Sequence, residues 1–151
     1  MPFEAFIRIG DIGGESTAAG HTGEIDVVSY HWGASRPQES GPAVVHDFSF
    51  VKRADVASPA LFTLCCSGER TGNAVFVARR QSGEPRDFLR YSFADVAVVS
   101  VRPGGSAQAR DDVPLEEVTL TFRKCEIDYF RSDSGDESSR GGWDLEKNTP
   151  A

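Results

Sequence analysis

The residues of this chain that could do chemistry are few: three histidines, three cysteines and several adjacent acids. His21, His31 and His46 stand at none of the short spacings that metal sites favour, so a site would have to be assembled in space from them and a cysteine. Cys65 and Cys66 are neighbours and Cys125 is alone, too few and too poorly spaced for a disulfide framework. Small buried hydrophobes filling a helix–sheet contact is the simpler reading of Cys65 and Cys66.

The common motifs are missing. Gly68 and Gly72 are too close for a nucleotide loop and no lysine follows them. Gly10, Gly13 and Gly14 lack dinucleotide spacing. No Gly-x-Ser-x-Gly elbow exists, and Ser67 beside Gly68 reads as a helix end. The acid pairs Asp111–Asp112, Glu116–Glu117 and Asp136–Glu137 fit a solvated surface at loops or strand starts. The expectation is a protein with no catalytic residue, no cofactor and no metal, hence not an enzyme.

Length and charge narrow the classes further. The 151 residues suit one domain, 1–151, long enough to fold without disulfide or metal. A net charge of −7 argues against a nucleic-acid partner, since phosphate neutralisation needs a basic face. No apolar run approaches the roughly 20 residues of a membrane helix, so no membrane insertion is expected. Met1 to Glu15 carries Glu4 and no long apolar core, so no secretory signal is read there. The expected location is cytoplasmic, with any export by another machine.

The elements that would position these residues are mostly strands. Phe3, Ala5, Ile7 and Ile9 alternate in period two, and Gly10 to Gly23 reads as a long loop. Glu24 to Trp32 reads as a second strand, Gly33 to Ala43 as a loop and His46 to Arg53 as a third strand with Phe48 and Phe50 on one face. Ser58 as N-cap, Pro59 in the first turn and Gly68 beyond the end delimit one helix. Its apolar stripe is Leu61, Leu64 and Cys65, widened by Phe62 and Cys66. Asn73 to Arg80 and a strand from Phe88 are joined through Gln81 to Asp87 as a hairpin. The strands Phe88 to Arg102 and Leu115 to Phe130 change the parity of their apolar residues partway, which requires a bulge or bend. Arg131 to Arg140 reads as a polar loop and Trp143 to Asn148 as a last strand. The fold class is mostly β: an antiparallel β-barrel or sandwich of about seven strands with one flanking α-helix.

Taken in order, FIRIGDIGGES, HTGEIDVVSYHWG, FSFVKRADVASPALFTLCCSGE, YSFADVAVVSV, EEVTLTFRKCEIDYF and GGWDLEKN resemble the haemolysin co-regulated protein (Hcp) family, the tube protein of type VI secretion systems. The similarity runs from about Phe3 to Asn148. The resemblance implies a β-barrel with a flanking helix that assembles into a homohexamer. The rings stack into a hollow tube, driven out by a contractile sheath behind a spike and carrying effector proteins in the lumen. It implies secretion through that system without a signal peptide, and a plain tube subunit rather than a fused effector. The loop Gly33 to Val45 is shorter and less Gly-rich than in many members, and the stretch Arg131 to Arg140 is acidic and Ser-rich.

On the strand Glu24 to Trp32, Ser29 and His31 share one face, opposite Val28, Tyr30 and Trp32. Family geometry turns Ser29 and His31 toward the lumen, where His31 would make cargo retention pH-sensitive. The simpler reading is a pair of solvent-side strand residues. Arg36, Gln38 and Glu39 in the extended loop are the candidates for ring stacking, against ordinary mobile loop residues. Trp32 and Trp143 are read as core or ring-interface anchors. The alternatives are a stand-alone β-sandwich binding a carbohydrate or peptide, a tail-tube protein of a phage-like particle, and a hydrolase with a spatially assembled site.

Overall fold

The computed structural model describes residues 3–81, 85–108, 113–131 and 137–151. In chain order it contains β1 (Phe3–Ile9), β2 (Ile25–Val27), β3 (Ser29–His31), β4 (Ala34–Ser35), β5 (Val44–Val45), β6 (Phe48–Arg53), α1 (Ser58–Ser67) and β7 (Ala74–Arg80). Then follow β8 (Arg86–Ala94), β9 (Ala97–Gly104), β10 (Leu115–Thr121), β11 (Lys124–Phe130), β12 (Glu137–Asp144) and β13 (Thr149–Pro150). One antiparallel sheet runs β13-β12-β11-β8-β7-β1-β2, a second β3-β6-β10-β9, and β4 and β5 form a small hairpin. The two large sheets face each other as a sandwich whose ladders do not close into one barrel.

Thirteen strands appear among the described residues where about seven were expected: three expected strands break at corners, and the two-residue strands β4, β5 and β13 are added. At Val28 the chain leaves β1's sheet and joins β6's, so one expected strand becomes β2 and β3. Asp95, at φ 53°, turns the chain from β8 in one sheet to β9 in the other. Phe122 and Arg123 do the same between β10 and β11. The corners at Asp95 and at Phe122–Arg123 are parity changes seen in the sequence, and each corner lets both halves of a strand turn apolar residues to one core.

That core is aromatic. Phe48, Phe50, Phe76 and Phe93 are fully or nearly fully buried with Ile7, Ile9, Ile25, Val96 and Leu120. Tyr30, Trp32 and Tyr91 pack on it, with Phe48 and Phe93 centroids 5.0 Å apart and Trp32 5.1 Å from Phe93. Burial pushes the Tyr91 hydroxyl above its ordinary pKa, helped by its contact with the Tyr30 hydroxyl at 3.3 Å.

Three expectations fail locally. Ala57, not Ser58, is the helix N-cap, and it offers no side-chain cap. Phe62 (55% exposed) and Cys66 face outward, because only a narrow stripe around Leu61, Leu64 and Cys65 meets the sheets. The expected last strand, Trp143 to Asn148, keeps only Trp143 and Asp144, at the end of β12; residues 145–148 form a turn ending at Asn148 with φ 55°, and the short β13 follows. The loop expected over Arg131 to Arg140 gives way to β12 from Glu137, and β12 lies so close to β11 that a Cβ at Gly142 would clash with the Cys125 carbonyl oxygen.

Ser58 has other work. Lys52 is fully buried, and its Nζ donates to Asp55 Oδ1 (2.8 Å), Glu116 Oε1 (2.8 Å) and Ser58 Oγ (3.1 Å). The Ser58 hydroxyl donates to Glu116 Oε1 at 2.7 Å and accepts the Asp55 N–H at 3.0 Å. All three protons of the ammonium are committed, joining β6, the 54–57 turn, α1 and β10. Lys52→Met leaves two carboxylates without their cation and is expected to cost ~3–5 kcal/mol, read as a lowered denaturation midpoint at fixed protomer concentration. An unchanged midpoint would show that the clamp adds nothing net.

Candidate functional surface

The outer faces of the two large sheets differ in kind. In antiparallel ladders, paired residues lie on the same face, so the register of the four-stranded sheet can be read across as rows. One outward row is Ser29, Val51, Glu117, Arg102; the next is His31, Ser49, Thr119, Ser100. The alternate row, Tyr30, Phe50, Val118 and Val101, points into the core. The outward face is thus built of hydroxyls with a few charges at its margins. Ser49 and Thr119 hydroxyls meet at 2.9 Å, and His31 Nε2 stands 3.9 Å from Glu117 Oε2.

Ser29 and His31 are both exposed on this face. Their neighbours Ser49, Val51, Ser100, Arg102, Glu117 and Thr119 come from three other strands. Alternation alone puts Ser49 and Val51 opposite Phe48 and Phe50, but only the lateral register shows that they continue the Ser29–His31 surface. Val28, expected on the face of Tyr30 and Trp32, is instead 44% exposed, because it sits at the corner between sheets.

The seven-stranded sheet carries Phe6, Val77, Arg90, Asp128 and Arg140 in one outward row. It is covered by its own side chains and by the glycine loop: His21 stacks on Phe6 at 4.5 Å, and Arg90 and Arg140 both reach the buried Asp128 carboxylate. Phe6 and Asp128 are thereby sealed from water on this face, whereas Ser29 and His31 are exposed on the other.

Trp32 is half-buried beneath the end of the four-stranded sheet; its indole N–H donates to the His46 carbonyl at 2.8 Å. Trp143 is half-buried on β12 and packs on the core from the far side. Arg36, Gln38 and Glu39 are exposed at the tip of the β4–β5 hairpin, where Arg36 donates to the Glu39 carbonyl at 3.3 Å. The three histidines lie in separate places: His21 in the glycine loop, His31 on the hydroxyl face and His46 at the hairpin root, 3.2 Å from Ser35 Oγ. Among the described residues no three His, Cys, Asp or Glu side chains group as metal ligands. Asp111, Asp112 and Asp136 lie outside the described residues. Glu116 belongs to the Lys52 clamp rather than to a solvated acid pair.

Comparisons with known proteins agree with one another. The family model described as "Type VI secretion system effector, Hcp" matches residues 6–129. The chain is 33% identical to Protein hcp1 of Pseudomonas aeruginosa, over the whole of both chains. Among solved structures it resembles Hcp1 from Salmonella typhimurium (31% identity, TM-score 0.85, all of both chains covered). It also resembles a type VI secretion system effector from Yersinia pestis (34% identity, TM-score 0.79, 93% of this chain and 98% of that one).

The thiols differ in ways that labelling can read. Cys66 is exposed, while Cys125 is buried, its S–H donating to the Trp143 carbonyl. Burial pushes the Cys125 thiol above its ordinary pKa, so less of the reactive thiolate forms. A thiolate-selective reagent at pH 8 should modify Cys66 in the native protein and reach Cys125 only on unfolding. The fast phase disappears in Cys66→Ser; a fast phase surviving there and tracing to Cys125 would contradict the burial.

Proposed function

The chain belongs to the Hcp family of type VI secretion tube proteins, and from that footing we propose that it forms hexameric rings that stack into the hollow inner tube. The observation that carries ring formation is the four-stranded sheet. Its edge strands are β3 and β9; Arg70 bridges β9 only at its first residue, Ala97, and an exposed apolar residue stands at each edge, Val28 beside β3 and Val99 (48% exposed) on β9. Open edges with apolar flanks are a liability in a monomer unless a neighbour covers them. Joining one edge to the opposite edge of the next copy is a head-to-tail contact, which closes into a ring when the rotation permits.

In this ring the hydroxyl face forms the wall of the lumen, with Ser29 and His31 turned toward cargo. Effector proteins travel against that wall, held by hydrogen bonds to serine, threonine and histidine. The β4–β5 hairpin, with Arg36, Gln38 and Glu39 at its tip, reaches the next ring. Trp32 anchors the core under the wall, and Trp143 anchors the opposite sheet beside the subunit boundary. The subunit folds in the cytoplasm, and the sheath and spike of the secretion machine deliver it outside without a signal peptide. Among the described residues no helix is long and apolar enough to cross a membrane. The family is a structural, secreted one, and the role proposed for this chain is an assembly geometry rather than a reaction.

Light scattering after gel filtration should give six times the subunit mass of 16.4 kDa, about 98 kDa, with ring-shaped particles in negative stain. Val99→Glu alters an exposed side chain, so it should leave the fold intact and release subunits of 16.4 kDa. A wild-type monomer stable at high concentration would remove the ring reading and favour a ligand-binding module. For the wall, His31→Gln should abolish the pH dependence with which a co-expressed effector is retained. Unchanged retention and unchanged pH dependence would take His31 out of the cargo surface.

A further inference from the structure

On the sealed side of the molecule, the glycine loop is folded across the seven-stranded sheet by a set of contacts that converge on His21. The loop is internally tied: the Gly14 N–H donates to Gly23 O (2.8 Å), Ser16 N–H to Glu24 O (2.9 Å) and Gly23 N–H to Ser16 O (2.8 Å). Its attachment to the sheet is through side chains. The His21 ring, only 6% exposed, lies flat on Phe6 of β1 at 4.5 Å with 7° between the planes. Arg79 of β7 donates to the Ala19 carbonyl at 2.9 Å.

Both nitrogens of the His21 ring face carboxylates. Nδ1 is 3.0 Å from Glu24 Oε1 within the loop, and Nε2 is 2.9 Å from Asp87 Oδ1 on β8. An ionised carboxylate only accepts hydrogen bonds, so each nitrogen must donate, and a ring that donates from both nitrogens is an imidazolium. A neutral ring has one donor. Its other nitrogen would set a lone pair against a carboxylate oxygen at 3.0 Å (Glu24) or 2.9 Å (Asp87).

We propose that His21 is a proton-linked latch: its charged ring ties the glycine loop to β8, and loss of one ring proton releases the Asp87 side. The direction follows from the surroundings. Glu24 is nearly buried and is also held by Arg8 of β1 at 3.3 Å, so it keeps its bond to the ring. Asp87 is half-exposed and can turn to water. Among the described residues, the other charged groups facing the site are Glu4 of β1, which takes Arg79 at 3.0 Å, and Arg86 of β8, which lines the same cleft as Ala19, Gly20, His21 and Asp87. None of these replaces the contact, because Arg79 is committed to Glu4, Ala19 and the Phe6 ring. The sign is then fixed: the bonded state holds the extra proton, so attachment is strongest at low pH and is lost as pH rises.

Hydrogen exchange followed by mass spectrometry on the assembled protein tests this at pH 6 and pH 9, with the intrinsic pH dependence of exchange divided out. Losing one charge-assisted hydrogen bond should lower protection of the 13–24 segment about tenfold at pH 9, while β6 and β10 keep theirs. In Asp87→Asn the side-chain amide can present either a donor or an acceptor to the ring. The loop should stay attached there, with equal protection at both values. Nitrogen shifts of the His21 ring should show hydrogens on both nitrogens in wild type at pH 6. The latch is overturned if wild-type protection of the loop is the same at both values, if Asp87→Asn keeps the full wild-type pH dependence, or if the ring carries a single hydrogen at pH 6.

Discussion

A buried ammonium holds this fold in register. Lys52 points into the interior from the middle of the four-stranded sheet, where a lone charge would carry a desolvation penalty of several kcal/mol. Asp55, Glu116 and Ser58 offset that penalty, and each belongs to a different part of the chain. The helix needs this tie. It has ten residues, no side-chain N-cap, no acid in its first turn and no base in its last, so little of its stability is its own. Glu116 fixes β10 opposite Lys52 on β6, and that pairing sets every outward row of the same sheet.

The corners complete the arrangement. A strand that crosses from one sheet to the other must rotate its side chains, and the chain does so at Val28, at Asp95 and at Phe122–Arg123. Asp95 adopts a left-handed conformation that an L-residue other than glycine rarely takes, and its carbonyl accepts from Arg70. The result is two sheets that share one aromatic core while presenting unlike outer faces. Over the seven-stranded sheet, a loop and ion pairs exclude water from Phe6 and Asp128. On the four-stranded sheet Ser29 and His31 stand exposed, Thr119 and Ser100 are half-buried, and Ser49 is buried with its hydroxyl on Thr119.

That asymmetry suits the proposed tube. A wall that must pass cargo is better made of short hydroxyl side chains than of long charged ones, which would order water and select partners by charge. The apolar residues left exposed at opposite edges of the same sheet can be covered by a neighbouring copy.

The sequence by itself determined the β class, the single helix with its glycine stop, the parity changes in the two long strands and the face shared by Ser29 and His31. These follow from period-two and 3.6-residue patterns, which are local and survive without knowledge of neighbours. It also carried the family, through ordered segments spread along nearly the whole chain. Only the tertiary structure decided what lies beside what. Glu116 reads as half of a solvated acid pair until Lys52 is brought to it, and the end of the stretch Arg131 to Arg140 reads as loop until β11 supplies a partner. His21 reads as an isolated loop residue until Asp87 arrives from β8. In each case the deciding partner is distant in sequence or lies across a turn, and pairing register and charge compensation leave no periodic trace in the chain.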